Sequence, residues 1–318
     1  MDDELRFDGR VAIVTGAGGG LGRAHALLLA SRGATVVVND LGTHDKGGDG
    51  ADTGPAHAVV DEITALGGVA VADTNSVAER SGAEALVGGT LEQFERLDIL
   101  VNNAGIIRNR TFLNIGDDEL DPVLDVHLRG AFYVTRPAYE HMKSAGYGRI
   151  VNTSSSSGLF GFFGQTAYAA AKMALVGFTK TLAIEGARYG IQVNALAPGA
   201  LTRMTGDVMG EGSETAEAMS LGADELDAAF GPQHVAPVVA WLAHEDCELT
   251  GEVLSAMGGR VGRAFVAVTP GIYDAELSPE TLRDRQAEVL DETGYIIPAD
   301  GPAEGVLLRR LKGEADRG

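Results

Sequence analysis

The feature that most constrains this chain is the glycine-rich run TGAGGGLG, Thr15 to Gly22, lodged between an apolar β-branched run and a segment of helical period. A strand that turns so abruptly into a helix needs residues without side chains, and it leaves the first N–H groups of the helix unpaired at the turn. Those groups and the helix dipole favour a negatively charged ligand there. The chain is therefore expected to pack this strand inside a parallel sheet whose ligands lie at the carboxyl ends of the strands.

The rest of the sequence repeats the same alternation. Apolar runs occur at 11–15 (VAIVT), 35–40 (TVVVND), 68–73 (GVAVAD), 98–105 (DILVNNAG), 148–155 (GRIVNTSS) and 191–199 (IQVNALAPG). Nearly continuous apolar strands mark a sheet covered on both faces. Between them run helical segments at 21–32, 55–66, 77–96, 117–144 and 166–189, each long enough for a crossover. The fold class expected is α/β, a doubly wound parallel sheet forming a single domain with a C-terminal extension. We place the main domain at residues 1–260, with a lid at about 200–230 around Met204, Val208 and Met209. The remaining segment, 261–318, is expected to extend past the sheet and pack on this domain or on a partner subunit. The Gly- and Asp-rich stretch 41–55 reads as a surface loop.

Composition narrows the partners. The formal net charge of -20 repels phosphate backbones and anionic lipid, so neither nucleic acid nor a membrane is an expected partner. One cysteine, Cys247, provides neither a disulfide nor a metal cluster, and no metal is expected. The acidic start and the lack of a long apolar run suggest a cytoplasmic protein.

Two groups of residues carry chemistry. At the dinucleotide end, Gly16, Gly20, Leu21 and Gly22 form the phosphate turn. Asp40 closes the second strand eighteen residues after Gly22, where a carboxylate accepts hydrogen bonds from ribose hydroxyls and repels a 2′-phosphate. NAD is thus the expected cofactor. Asn75 and Ser76, after the third strand, are placed beside adenine or serve as helix caps. At the chemical end, Tyr168 and Lys172 lie one helical turn apart behind the serine run Ser154 to Ser157. An ammonium beside a phenol is expected to lower its pKa towards that of a useful base, and a serine hydroxyl stabilises charge on the reacting oxygen.

Taken together these motifs resemble the short-chain dehydrogenase/reductases, a Rossmann-like family. Their pattern TGxxxGxG, NNAG, Ser, YxxxK and PG is matched in order between about Phe7 and Gly259. The resemblance implies Ser155, thirteen positions before Tyr168, as the catalytic serine beside Tyr168 and Lys172. It gives Asn103, Ala104 and Gly105 a cofactor-side role and Pro198 with Gly199 a place at the nicotinamide. The family's usual helix asparagine is replaced by His127, whose role the motif leaves open between relay and structure. Longer stretches, such as VVVNDLG and YGRIVNTSSSSGLFGFFGQTAYAAAKMAL, resemble the dehydrogenase domain of peroxisomal type-two multifunctional enzymes, where a histidine at this position is expected. That likeness implies oxidation of a (3R)-3-hydroxyacyl-CoA to the 3-ketoacyl-CoA with NAD, in a free-standing enzyme of 318 residues. It also implies a homodimer or homotetramer built on the helices at 117–144 and 166–189.

Substrate residues follow from the surroundings of Tyr168. Phe160 and Phe163, with Leu159 and Phe162, suggest an apolar pocket, and Arg108, Arg110 and Arg203 are the cations available to a CoA thioester. The alternatives are a 17β-hydroxysteroid or another bulky alcohol, a carrier-protein reductase that Asp40 and the acidic charge disfavour, and a silent NAD sensor that Ser155, Tyr168 and Lys172 disfavour.

Overall fold

The computed structural model describes residues 4–42, 54–202 and 229–315. The putting of strand before helix expected at Thr15 is realised: β1 (Val11–Thr15) leads through the glycines into α1 (Gly20–Ser31). It is followed by β2 (Thr35–Asn39), α2 (Gly54–Ala65), β3 (Val69–Asp73), α3 (Arg80–Phe94) and β4 (Ile99–Asn102). The second half brings α4 (Asp117–Leu124), α5 (Gly130–Ala145), β5 (Gly148–Thr153), α6 (Ser156–Phe160), α7 (Thr166–Gly186), β6 (Ile191–Gly199), α8 (Ala236–Ala243), β7 (Val253–Met257) and β8 (Arg260–Ala264).

The sheet order is β3-β2-β1-β4-β5-β6-β7-β8, and the six pairings from β3 to β7 are parallel. The order reverses between β1 and β4, which opens a crevice at their carboxyl ends. Helices cover both faces because alternate residues of each strand point opposite ways. Ala12, Val14, Val36 and Val38 pack with Leu29, Ile63 and Leu242 on one face. Ile13, Leu100, Ile150 and Val193 pack with Leu86, Val134, Ala138 and Met142 on the other. Buried to this degree, a single Leu100→Ala substitution is expected to cost about 2–5 kcal/mol.

Three expectations are corrected here. The segment at 260–264 does not extend past the sheet but forms its last strand, joined to β7 by Gly258 and Gly259, both with positive φ. The helix expected over 117–144 is divided, because Asp125–Arg129 winds as a π-helix between α4 and α5. Gly54 and Pro55, expected at the end of the surface loop, instead open α2; further on, residues after 278 form two short helices, Pro279–Asp284 and Gln286–Val289, the first capped by the Ser278 hydroxyl. The lid centre, with Arg203, Met204, Val208 and Met209, and most of the loop at 41–55 lie outside the described residues.

The chain divides into two compact units, Met1–Arg263 and Ala264–Gly318. Within the second, Val268 and Ile296 exchange two backbone hydrogen bonds of 2.9 Å, and Phe265 stacks on Tyr295.

Candidate active site

The crevice between β1 and β4 is shaped by close backbone packing. Gly16 and Gly20 adopt φ of 63° and 52°, which side chains rarely adopt. A Cβ on Gly16 would lie 2.6 Å from the Cα of Ala104, and one on Gly22 would lie 2.2 Å from the Gly16 carbonyl oxygen. These are contacts only glycine permits. The Asn103 side chain donates to the carbonyls of Thr15 and Gly16, while the Thr15 hydroxyl accepts from the N–H groups of Asn103 and Ala104. Thr15 and Asn103 thereby tie the glycine turn to the end of β4.

This turn fits a dinucleotide. The N-cap of α1 is Gly19, which supplies no side chain to the helix's first N–H groups, and the first turn holds no acidic residue. A pyrophosphate meets those N–H groups without competition. Asp40 lies at the edge of the turn, where its carboxylate accepts from Gly18 N–H and Gly42 N–H at 2.8 Å each. Leu21 faces the core rather than the crevice. Asn75 donates to Asp73 at 2.7 Å, and its carbonyl accepts from Asn39 at 2.9 Å, so it is part of a polar corner at the ends of β2 and β3. The Ser76 carbonyl packs against Gly82. Pro198 and Gly199 end β6 opposite Ala256 and Met257. Thr202 reaches the same edge, its methyl 3.4 Å from where a Gly20 Cβ would stand.

The chemical end assembles from β5 and α7. Lys172 is buried, and its ammonium donates to the Thr153 carbonyl at 2.6 Å. Burial brings its pKa down to about 7. The Ser154 hydroxyl donates to the Lys172 carbonyl at 2.8 Å, fastening α7 to the end of β5. Ser155 caps α6 by accepting from Ser157 N–H, and its hydroxyl also reaches Tyr168. Burial raises the Tyr168 phenol above its ordinary pKa, and the Ser155 hydroxyl offsets this in part. The expectation that Lys172 lowers Tyr168 is thus corrected for the chain alone. The ammonium is 5.5 Å from the centre of the phenol ring and is engaged with Thr153, and desolvation of the phenol dominates.

Beneath this pair a ladder of amides and hydroxyls crosses the sheet. Asn102 donates to Thr135 and Asn152, and Asn152 donates to Thr179. All four are buried, so the ladder sets the spacing between β4, β5, α5 and α7. Sequence reasoning missed Thr15, Thr135, Asn152, Thr153 and Thr179; the signal was their polarity at positions an apolar strand or helix face should occupy.

The residues expected to bind substrate are divided. Phe160 and Phe163 are 76% and 88% exposed, so they form a rim rather than the wall of a closed pocket. Phe112 and Leu113 join that rim, because Arg110 N–H donates to Gly164 across it. Arg110 is held by Glu119 at 3.1 Å and is no longer a free cation. Arg108 turns back on the Ile107 carbonyl at 3.3 Å.

Comparison with known proteins agrees with this architecture. The family described as short chain dehydrogenase matches residues 10–211. The chain is similar to the peroxisomal multifunctional enzyme type 2 of Mus musculus, 46% identical over 295 residues, covering 92% of this chain and 38% of that protein. It is also similar to a hydroxyacyl-CoA dehydrogenase of Mycobacterium tuberculosis, 41% identical over 268 residues, covering 80% of this chain and 79% of that protein. The solved full-length peroxisomal multifunctional enzyme type 2 of Drosophila melanogaster superposes with a TM-score of 0.77 at 38% identity, over 97% of this chain and 50% of that one. This chain therefore spans less than two thirds of the length of the multifunctional enzymes it matches, 38% of the mouse protein and 50% of the solved Drosophila chain. The cytoplasmic location expected from the acidic start and the lack of a long apolar run is corrected by the mouse and Drosophila relatives, which are named as peroxisomal enzymes. No described helix is long and apolar enough to cross a membrane.

Proposed function

The chain belongs to the short-chain dehydrogenase family and is an oxidoreductase of CH–OH groups using a nicotinamide cofactor; from that premise we propose that it oxidises (3R)-3-hydroxyacyl-CoA to 3-ketoacyl-CoA with NAD. The observation that carries the reaction is the cluster of buried Lys172 and Ser155 with half-buried Tyr168, set at the strand edge that holds the glycine turn. Likeness to multifunctional enzymes and to a hydroxyacyl-CoA dehydrogenase supports the substrate class.

The cofactor, when bound, supplies the hydride acceptor. Gly16, Gly20 and Gly22 admit its pyrophosphate to the N-terminus of α1, with Asn103, Ala104 and Gly105 lining the opposite side of the turn. Asp40 supports NAD over NADP, because a carboxylate pinned by Gly18 N–H repels a 2′-phosphate. Tyr168 takes the alcohol proton, and Ser155 donates to the oxygen as charge develops on it. Lys172, held by Thr153, keeps a positive charge below the phenol when protonated. Pro198 and Gly199 close the nicotinamide side.

The exposed rim of Phe112, Leu113, Phe160 and Phe163 suits a long acyl chain, and with Arg110 paired to Glu119, Arg108 is the cation assigned to a CoA phosphate. A hydroxysteroid is the second reading, favoured by the same apolar rim. Phe132, Met173 and Ile184 are exposed on α5 and α7, which supports a homodimer or homotetramer joined through those helices. A panel of hydroxyacyl-CoAs and hydroxysteroids with NAD tests the reading. NADH should form from the acyl-CoAs; formation from steroids alone would replace the acyl-CoA assignment.

A further inference from the structure

His127 stands in the π-helical turn Asp125–Arg129, a geometry that concentrates at functional sites. Its ring is buried and its two nitrogens have different surroundings. Nε2 lies 2.7 Å from the Ile106 carbonyl oxygen and 3.1 Å from Ile106 N–H. Nε2 cannot serve both contacts: without a proton it accepts from Ile106 N–H but faces the carbonyl oxygen lone pair to lone pair, and with one it donates to that oxygen, the shorter of the two contacts, which favours the proton on Nε2. Nδ1 is buried and has no partner among the described residues. An imidazolium would leave the second N–H without an acceptor, in a space already occupied by one cation.

That cation is Lys172 on α7, which lies close enough to oppose a positive charge on the ring, as burial also does. Tyr168, on the same helix, is the other titratable group packed on it: the two rings are perpendicular, at 87°, with centroids 5.2 Å apart. The segment after β4 presents only the Ile106 backbone and Gly105. A Cβ on Gly105 would lie 2.3 Å from the imidazole Cε1, so the glycine is what lets the ring lie between the cofactor-side segment and the phenol.

We propose that His127 is a positioning residue that stays neutral: its Nε2–H fixes the Ile106 carbonyl, its ring buttresses Tyr168, and it neither gives nor takes a proton during turnover. The proposal rests on Tyr168 being the proton-transfer group of the dehydrogenase reading, but its protonation claim is testable without turnover. In protein labelled with ¹⁵N histidine, the His127 resonances, identified by their loss in His127→Asn, should show the Nε2–H tautomer unchanged from pH 5 to pH 9. Titration within that range overturns the proposal.

Kinetics supply the second arm. His127→Phe retains an aromatic ring beside Tyr168 but loses the donor, and should lower kcat about tenfold or more with little change in KM for NAD. His127→Gln and His127→Asn, whose amides can donate to Ile106, should recover most of that loss and leave the pH profile of kcat/KM in place. A loss of about 10²-fold or more in both amide variants together with a missing ionisation would identify a proton-transfer role and overturn the proposal. Full activity in His127→Phe would overturn the donor role. Should the phenylalanine variant fail to fold, the ¹⁵N measurement on the unmodified protein still decides.

Discussion

Replacing Lys172 by Met separates what the buried ammonium does for chemistry from what it costs the fold. In the folded chain the lysine titrates near pH 7 instead of 10.5 because burial disfavours its charge. Between those values the unfolded chain binds more protons than the folded one, so the lysine's cost declines as pH rises, and below pH 7 it is present in full. For a shift from 10.5 to about 7, linkage gives a cost of about 5 kcal/mol at pH 6 and about 2 kcal/mol at pH 9, a difference of about 3 kcal/mol. Lys172→Met removes this pH dependence. It also loses the hydrogen bond to Thr153; the charge-dependent part of that bond is already contained in the lowered pKa, and what remains for the neutral amine is an opposing change of about 0.5–1.5 kcal/mol at both pH values. Thermal melts of the cofactor-free protein should therefore favour the variant by about 3 kcal/mol more at pH 6 than at pH 9. At about 2.1 cal/mol/K of unfolding entropy per residue, that corresponds to roughly 4–5 °C in the difference between the two melting-temperature changes for a chain of 318 residues. Activity should fall steeply in the same variant. Equal changes in melting temperature at the two pH values would refute the claim that the site buries its ammonium at the expense of stability.

Tyr168→Phe should lower kcat by about 10²–10⁴ while NADH still binds, measured by steady-state rates and by fluorescence titration. Asp40→Ser should raise kcat/KM with NADP relative to NAD by removing the carboxylate beside the glycine turn; an unchanged ratio would detach cofactor choice from Asp40. His25, buried with neither ring nitrogen partnered, has its pKa brought down to about 3 by burial. The unfolded chain thus binds more protons between pH 6.5 and 3, and stability falls as pH drops through that window. His25→Leu should remove about 2 kcal/mol of the decline between pH 8 and pH 5 in denaturant titrations, and an identical decline in both proteins would contradict it.

The first six strands were legible because each is a short apolar run, buried along most of its length except in β3 at the sheet edge, and the glycine turn was legible because its spacing is tied to backbone approach. The last two strands were hidden. Val253–Met257, VLSAM, has a serine at its centre and a single β-branched residue, and Arg260–Ala264 carries two arginines on a sheet edge, where apolar content is not required. The π-turn left no trace, since a shift from i+4 to i+5 hydrogen bonding changes no residue type. Ser155, Tyr168 and Lys172 could be named from spacing, but the Lys172 contact with Thr153 is made by a backbone carbonyl, which every residue possesses. The same limit applies to His127, whose partner is the Ile106 main chain, and to Arg110, which Glu119 takes from the pool of available cations. Sequence patterns report side-chain chemistry; these contacts depend on where the sheet brings main-chain groups together.

The central claim is tested most directly by NADH formation from the two enantiomers of one long-chain 3-hydroxyacyl-CoA, supplied separately with NAD. The (3R) enantiomer should give rapid formation and the (3S) little, and Tyr168→Phe should lose the rate. No NADH from the (3R) enantiomer, in protein shown to bind NADH, would contradict it.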